Sequence, residues 1–230
     1  MNARRRIDSF WLKIIALATM TTDHIAAALP CGQWYLPMRC IGRIAFPIYC
    51  FLLAEGFCHT RSRGRYLLRL CLLFLLSEPV YDLVFHQGFP YWGNQNILLT
   101  LALGLGTVWL VDAADRLELW ALRWPVKLLA CGLGLWLSEA LFADYGWGGI
   151  LLILSFCFFR GKPVPLCAAV SCSLVLAIGV IEVFGLLALL PILLYSGKQG
   201  DLLQKPWFQY AFYFYYPVHI AVLWLVQLIL

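Results

Sequence analysis

Ionisable side chains occur inside apolar stretches of this sequence, at positions where a lipid environment would make each of them costly. Asp23 and His24 lie in the second half of the first apolar stretch, and His219 lies within the last one. Ionisable groups at membrane depth are rare and mark candidate functional sites. A histidine beside a carboxylate is the pairing of a general base, because the acid orients the imidazole and stabilises its cation. These residue types therefore predict proton-transfer chemistry.

Two pairs of charged residues have a spacing of four, which places both members of a pair on one face of a helix. Arg39 and Arg43 form the basic pair, and Glu78 and Asp82 form the acidic pair. Together with Asp23 these charges can neutralise one another if their helices pack together. The alternative interpretation is an ion-pair lattice that only fixes helix packing.

The choice of base depends on the neighbours of each histidine. Asp23 and His24 are adjacent in the chain, so their side chains point about 100° apart on a helix. We therefore expect Glu78 or Asp82 to orient His24. We prefer His24 as the base and keep His219 as the other catalytic candidate.

Asn94 and Asn96 open the predicted fourth helix, at the same end as the charged pairs. We predict that they contact the substrate.

At the opposite end, Glu55 and His59 precede a basic cluster. Such a cluster suits an anionic cytoplasmic ligand, for instance a coenzyme phosphate, although it is equally typical of a topology anchor. The residues predicted to bind that ligand are Glu55, His59, Arg61, Arg63 and Arg65.

The nine cysteines show no CxxC spacing and no Cys/His spacing of the kind that binds metals. We interpret them as small packing residues within apolar runs. No metal site is predicted.

The composition excludes a soluble domain. Of the 230 residues 63% are hydrophobic and 13% are charged, and the mean hydropathy is +0.81. The surface of a soluble domain usually needs about 25% charged residues. The net charge of +5 does not indicate a nucleic-acid partner, because the basic residues lie in short clusters between apolar runs. We predict a single transmembrane domain over residues 1–230.

Nine apolar segments recur along the chain. A membrane-spanning helix needs about 20 apolar residues, and several of these segments are somewhat shorter. They cover residues 10–29, 36–58, 66–85, 96–111, 124–141, 146–159, 164–181, 184–195 and 208–230. The sequence thus predicts an all-α, polytopic transmembrane helical bundle of about nine helices, with eight or ten as alternatives.

Basic residues alternate between the connections, as the positive-inside rule requires. With the N-terminus in the cytoplasm, the inner connections hold 14 of the 17 Lys and Arg residues, and the outer ones hold none. The exceptions are Lys13, Arg39 and Arg43, which lie within helices. The inner residues are Arg4, Arg5, Arg6, Arg61, Arg63, Arg65, Arg69, Arg116, Arg123, Lys127, Arg160, Lys162, Lys198 and Lys205. We therefore expect a multi-pass protein of the bacterial cytoplasmic membrane with a cytoplasmic N-terminus.

The polar residues stand in sequence blocks that resemble the TraX family. The blocks are Leu12-Lys-Ile-Ile-Ala-Leu with Asp23-His24, Arg39-Cys-Ile-Gly-Arg43-Ile-Ala-Phe-Pro-Ile, Leu53-Ala-Glu55-Gly-Phe-Cys-His59-Thr, Ser77-Glu78-Pro-Val-Tyr-Asp82, Asn94-Gln-Asn96-Ile-Leu-Leu-Thr100 and Tyr213-Phe-Tyr-Tyr-Pro-Val-His219. They run in order from the first predicted helix to the ninth. The resemblance therefore covers nearly the full chain, although helices five to eight carry little of it.

The resemblance implies a membrane acetyltransferase, since the founding member of the family N-acetylates conjugative pilin. Acetyl-CoA would then be the co-substrate at the basic cluster, and His24 or His219 would deprotonate an amine or hydroxyl. Arg39 and Arg43 would stabilise an oxyanion, hold the acceptor or contact the pantetheine chain. The expected partners are the lipid bilayer, acyl-CoA and an acceptor such as a peptide N-terminus, a glycan or a small molecule, with no nucleic acid.

Two other classes of function use the same residue types. An ion-coupled transporter would also carry acids, arginines and histidines at membrane depth, but the sequence shows no internal repeat. A non-enzymatic assembly factor for a surface appendage would need the buried charges only for its structure. Release of a free thiol from acetyl-CoA distinguishes the enzyme from both.

Overall fold

The computed structural model of the protein describes residues 7–200 and 206–230, and in these ranges the chain is helical. Residues 7–200 and 206–230 form ten α-helices, joined in places by 3-10 and π segments, and no strand. The helices are α1 (Ser9–Ala28), α2 (Tyr35–Gly42), α3 (Ala45–His59), α4 (Arg63–Phe85), α5 (Ile97–Ala114), α6 (Trp120–Ala140), α7 (Gly146–Phe158), α8 (Pro163–Cys172), α9 (Leu189–Leu193) and α10 (Pro206–Ile229). The nine predicted apolar segments coincide in order with helical segments, and the all-α class is confirmed. Arg4, Arg5, Arg6 and Lys205, which entered the charge argument, lie outside the described residues.

The segment predicted as one helix over 36–58 is divided into α2 and α3. Arg43 and Ile44 form the turn between them. Pro47 explains the position of the break, because proline has no N–H for the carbonyl four residues earlier and its ring crowds that carbonyl. That carbonyl belongs to Arg43. Pro47 itself lies in the first turn of α3, where a missing N–H costs little.

The predicted helices over 164–181 and 184–195 are also only partly α-helical. After α8 the chain continues as a π segment (Ser173–Ile178), and a 3-10 segment (Val180–Ala188) leads into α9. Gly179 separates the two at φ +157°, a backbone conformation that favours glycine.

The chain forms two compact units, each built from segments that are distant in sequence. Among the described residues, unit 1 comprises residues 7–52, 76–90, 179–200 and 206–230, and unit 2 comprises Leu53–Leu75 and Tyr91–Ile178. The single domain over residues 1–230 stays a prediction.

In unit 1, helix α1 presents its buried face to α2 and α10. Its buried residues recur every three or four positions and include Leu12, Ala16, Met20 and Asp23, the spacing of one helical face. Asp8 caps the helix by accepting a hydrogen bond from the backbone N–H of Trp11 at 3.1 Å. Asp23 therefore lies on the packed face of α1.

In unit 2, helices α5, α6 and α7 pack together around buried aliphatic side chains of α7, among them Ile150 and Ile153. Gly104 of α5 lies against Ile153 so closely that a Cβ atom there would overlap this side chain. Small residues that let helices approach are typical of membrane bundles.

Three helical segments are long and apolar enough to cross a membrane, judged by length and composition within the described ranges: Gly32–His59, Ile97–Ala114 and Tyr210–Ile229. Three shorter apolar ones are Gly146–Phe158, Pro163–Ile178 and Val180–Leu193. Large apolar side chains such as Trp120, Leu176 and Ile229 are about four-fifths exposed, which suits a surface that faces lipid. We conclude that this is a membrane protein.

Candidate functional site

The carboxylate of Asp23 binds both arginines of the basic pair. Its Oδ2 atom lies 2.5 Å from Nη1 of Arg39, and its Oδ1 atom lies 2.5 Å from Nη2 of Arg43. The four-residue spacing that predicted a shared face for the two arginines is thus seen in the structure. Gly42 makes this approach possible, because a Cβ atom at that position would overlap the Asp23 carboxylate.

A second carboxylate completes this cluster, which we call the Asp23 network (Asp23, Arg39, Arg43 and Glu182). Nη1 of Arg43 donates to Oε1 of Glu182 at 3.0 Å. Glu182 lies in the 3-10 segment before α9 and is only 2% exposed. Two acids and two arginines therefore balance within unit 1, as buried charges must.

The two histidines contact each other across α1 and α10. Nδ1 of His24 and Nε2 of His219 are 2.7 Å apart, and the two imidazole rings are within 7° of parallel. Nδ1 of His219 lies 2.8 Å from the backbone carbonyl oxygen of Tyr215, one turn earlier.

These two hydrogen bonds define the tautomer of a neutral pair. A carbonyl oxygen only accepts, so Nδ1 of His219 carries the hydrogen and donates it to Tyr215. The Nε2 atom of His219 is then an acceptor, and Nδ1 of His24 must donate to it. It follows that Nε2 of His24 carries the lone pair. This atom has no hydrogen-bond partner among the described residues, so it is the nitrogen that can take up a proton.

Aromatic side chains surround the histidine pair. The ring of Tyr215 stacks on His219 at 5.0 Å between centroids, and its hydroxyl lies 2.7 Å from Oγ1 of Thr21. Tyr216 and Phe85 contact His24 edge-on, at 6.0 and 5.3 Å. The His24 ring is thus in contact with the rings of Phe85, Tyr216 and His219, which restrict its orientation.

Glu78 and Asp82 are buried in α4, within unit 1. Phe85, at the end of the same helix, is the α4 side chain that contacts the His24 ring. The hydrogen-bond partner of His24 is His219, and the expectation that Glu78 or Asp82 orients His24 stays a prediction. Just beyond α4, burial lowers the pKa of His86, and the Asp82 carboxylate opposes this shift.

The other predicted site residues belong to unit 2. The carboxylate of Glu55 accepts two hydrogen bonds from Arg160, from Nε at 2.6 Å and from Nη2 at 3.2 Å. His59 donates from Nδ1 to the Glu55 carbonyl oxygen at 2.8 Å. Glu55 is thus one half of a fork-shaped ion pair at the end of α3.

The predicted arginine cluster divides into bound and free members. Arg63 pairs with Asp112 of α5 and lies over the ring of Phe57 at 4.3 Å. Arg61 and Arg65 are exposed, and their guanidinium groups have no partner within the described parts of the chain. Only the latter two present unpaired guanidinium groups to a ligand.

Asn96 caps helix α5. Its Oδ1 atom accepts from the backbone N–H of Leu98 at 2.9 Å, and its Nδ2 atom donates to the carbonyl oxygen of Phe74 at 3.4 Å. The side chain is fully buried. Asn94 is half-buried beside it. Contact of these two residues with substrate stays a prediction.

Sequence reasoning missed three contributors to the site. Glu182 falls between the predicted segments 164–181 and 184–195, Gly42 carries no functional group, and the backbone of Tyr215 leaves no trace in a side-chain pattern. Only Glu182 had a signal that could have found it, because it is an isolated acid between two apolar runs. In the described ranges, no group of three His, Cys, Asp or Glu side chains is arranged to hold a metal ion.

Comparison with known proteins shows which family this chain belongs to. The family model described as "TraX protein" matches residues 9–227. A protein of Dichelobacter nodosus, described as "Probable fimbrial assembly protein FimC, serogroup H1", is 32% identical over 247 residues, covering 95% of this chain and 96% of the relative. No solved structure matches the chain. With a family match from the first described helix to the last, this protein belongs to the TraX family.

Proposed function

We propose that the protein is a multi-pass acetyltransferase of the bacterial cytoplasmic membrane, with its N-terminus in the cytoplasm. It moves an acetyl group from cytoplasmic acetyl-CoA to an amine or hydroxyl of an acceptor at the outer face. The observation that supports this best is the His24–His219 hydrogen bond, which leaves Nε2 of His24 as a free acceptor. A positioned base of this kind is what deprotonation of an acceptor requires.

In the proposed reaction His24 is the general base. The acceptor nitrogen or oxygen bonds to the acetyl carbonyl carbon while Nε2 of His24 takes its proton. The carbonyl oxygen becomes an oxyanion, which the positive charge of Arg39 stabilises electrostatically. The carbon–sulfur bond then breaks, and the proton on His24 passes to the coenzyme A thiolate. His219 is a positioning residue, because its Nε2 atom accepts from His24 throughout.

Acetyl-CoA binds, in this proposal, at the cytoplasmic end of α3 and α4. Arg61 and Arg65 are exposed and unpaired within the described residues, so their guanidinium groups suit the coenzyme phosphates. Arg63, Glu55 and His59 support this surface through ion pairs and a backbone hydrogen bond.

The proposed acceptor is a pilin-like protein N-terminus. Two facts support it: the chain belongs to the TraX family, and the relative in Dichelobacter nodosus is described as a fimbrial assembly protein. A glycan or a small surface molecule is the alternative acceptor.

The description of the Dichelobacter nodosus relative as a fimbrial assembly protein also favours a second candidate function, a non-enzymatic assembly factor for a surface appendage. In that case the Asp23 network and the histidine pair would serve only to hold helices together. This candidate predicts that the protein has no turnover of its own.

Purified protein in lipid nanodiscs, supplied with acetyl-CoA and a peptide that has a free N-terminal amine, tests the proposal. Thiol release and the mass of the peptide are measured together. We expect turnover by the wild type, loss in His24→Gln, and retention in Thr22→Val. Thr22 is a control on α1, because its hydroxyl donates to the carbonyl oxygen of Ala18 and, among the described residues, to no other group. Absence of wild-type turnover would support the assembly factor. Ion or solute flux without thiol release would instead indicate a transporter.

A further inference from the structure

The two arginines of the Asp23 network differ in how many of their N–H groups are already bound. Arg43 donates from Nη2 to Asp23, from Nη1 to Glu182 and from Nε to the carbonyl oxygen of Arg39. Each of its three nitrogens thus has a partner inside the protein, and its side chain is 12% exposed. Arg43 has no free edge to offer a ligand.

Arg39 makes a single ion pair, from Nη1 to Oδ2 of Asp23 at 2.5 Å. Its Nε and Nη2 atoms have no hydrogen-bond partner among the residues that the structure describes. The side chain is 25% exposed, twice as much as that of Arg43. Of the two arginines, Arg39 is therefore the one whose guanidinium group is more exposed and has nitrogens without a partner among the described residues.

The two free nitrogens of Arg39 form one edge of the guanidinium group. Nε–H and one Nη2–H point in parallel, at the spacing of the two oxygens of a carboxylate or phosphate group. Asp23 holds the opposite side of the same group, so the edge is oriented before any ligand arrives. A preoriented fork costs less ordering on binding than a free surface arginine does.

We propose that the Nε/Nη2 edge of Arg39 binds an oxyanion of the acceptor, a carboxylate or phosphate group close to the amine or hydroxyl that is acetylated. Arg43 is a positioning residue that fixes Asp23 and thereby Arg39. The identification of this ligand as the acceptor rests on the proposed function.

Two observations favour the acceptor as the source of the oxyanion. Arg39 binds Asp23, and the next residue in the chain is His24, whose Nε2 atom is the proposed base. The Arg39 guanidinium also lies close enough to His24 to interact with it electrostatically, so an anion on Arg39 is held near the proposed reaction centre. Trp34, just before α2, and Leu36, in its first turn, are also exposed, by 63% and 60%, which suits an acceptor that pairs its anionic group with apolar side chains.

Two peptides of equal length, with a free N-terminal amine and either Glu or Gln at the second position, test the inference by binding alone. Affinities are measured for purified protein in nanodiscs of zwitterionic lipid. We expect the wild type to bind the Glu peptide about tenfold more tightly. In Arg39→Gln this preference should fall to about one. Arg116→Gln, which removes one exposed positive charge outside the Asp23 network, is the control and should keep the preference.

Equal affinity of the wild type for the two peptides, failure to bind either, or an unchanged preference in Arg39→Gln would overturn the inference. So would loss of the wild-type preference when anionic lipid is added, because a lipid phosphate would then be the ligand of Arg39. Failure of the proposed function gives a different result. An Arg39-dependent preference without acetyl transfer supports the binding site and rejects the enzyme, whereas transfer without preference does the reverse.

Discussion

His24 and His219 are separated by 195 residues in the chain, yet their Nδ1 and Nε2 atoms lie 2.7 Å apart. The contact joins α1 to α10, and the carbonyl oxygen of Tyr215 determines its direction by accepting from the far side of His219. In the usual catalytic arrangement a carboxylate orients the base. Here a second histidine holds that position, and the nearest buried carboxylate along the chain, Asp23, is bound to two arginines instead.

Two substitutions of His219 should distinguish a role in orienting His24 from a role as the base itself. In His219→Gln the amide oxygen can still accept from Nδ1 of His24, so we expect acetyl transfer within about tenfold of the wild type. In His219→Leu the acceptor is lost, and transfer should fall by about 10²- to 10⁴-fold, the usual range for a positioned base. Thiol release from acetyl-CoA measures both. Equal loss in the two variants would mean that His219 itself carries the proton.

Sequence reasoning located most elements of the fold but few of their mutual contacts. The nine apolar segments follow from composition, because each is too long and too apolar to be a connection. The pairing of Arg39 with Arg43 on one face follows from helical periodicity, and Asp23 does accept from both. The break before α3 could also have been predicted, since Pro47 prevents a hydrogen bond to the carbonyl of Arg43.

There is a physical reason why the sequence does not predict which helices contact each other. Helices that are apolar on nearly every side carry little periodicity to show which face meets which neighbour. The sequence therefore singles out His24 and His219 as costly residues without placing them together. Glu182 was missed because its contact with Arg43 depends on the 3-10 segment that follows Gly179, and the sequence predicted a connection there.

Substitution at Gly42 should disturb the Asp23 network without removing any of its charges. A Cβ atom there would overlap the Asp23 carboxylate, so Gly42→Ala should destabilise the protein by about 1–3 kcal/mol and reduce transfer. Gly132→Ala is the control, because a Cβ atom at that position of α6 meets nothing within 4 Å. Thermal unfolding in detergent measures both variants. Equal melting temperatures for the two would contradict the close packing of α1 and α2.

The Arg43–Glu182 pair should show strong coupling in a double-mutant cycle. Arg43→Gln alone leaves the buried Glu182 carboxylate without its cation, which we expect to cost about 3–5 kcal/mol. Adding Glu182→Gln removes the uncompensated charge and should restore part of that loss. Reversible unfolding in mixed micelles gives the four free energies of unfolding. Additive effects would show that the two side chains do not interact.

The two exposed arginines before and within the first turn of α4 should affect acetyl-CoA binding and not the chemical step. We expect Arg61→Gln and Arg65→Gln each to raise KM for acetyl-CoA about threefold to tenfold at unchanged kcat, because a phosphate contact is lost in the ground state and the transition state alike. Arg116→Gln is the control, since Arg116 is also exposed but pairs with Asp112, four residues earlier in the chain. A rise in KM for Arg116→Gln as large as for the other two would indicate a general effect of surface charge.

Labelling from the two sides of the membrane tests the orientation on which the proposed reaction depends. All nine cysteines are free thiols and Cys58 and Cys172 are exposed, so these two are first replaced by serine. In that background Arg65→Cys should react with a membrane-impermeant maleimide only after cells are permeabilised, because the basic start of α4 belongs to the cytoplasmic side by the positive-inside rule. Trp92→Cys, exposed in the connection between α4 and α5, should react in intact cells. The opposite pattern would place the arginines outside, where cytoplasmic acetyl-CoA cannot reach them, and would reject the transfer across the membrane while leaving the geometry of the histidine pair unaffected.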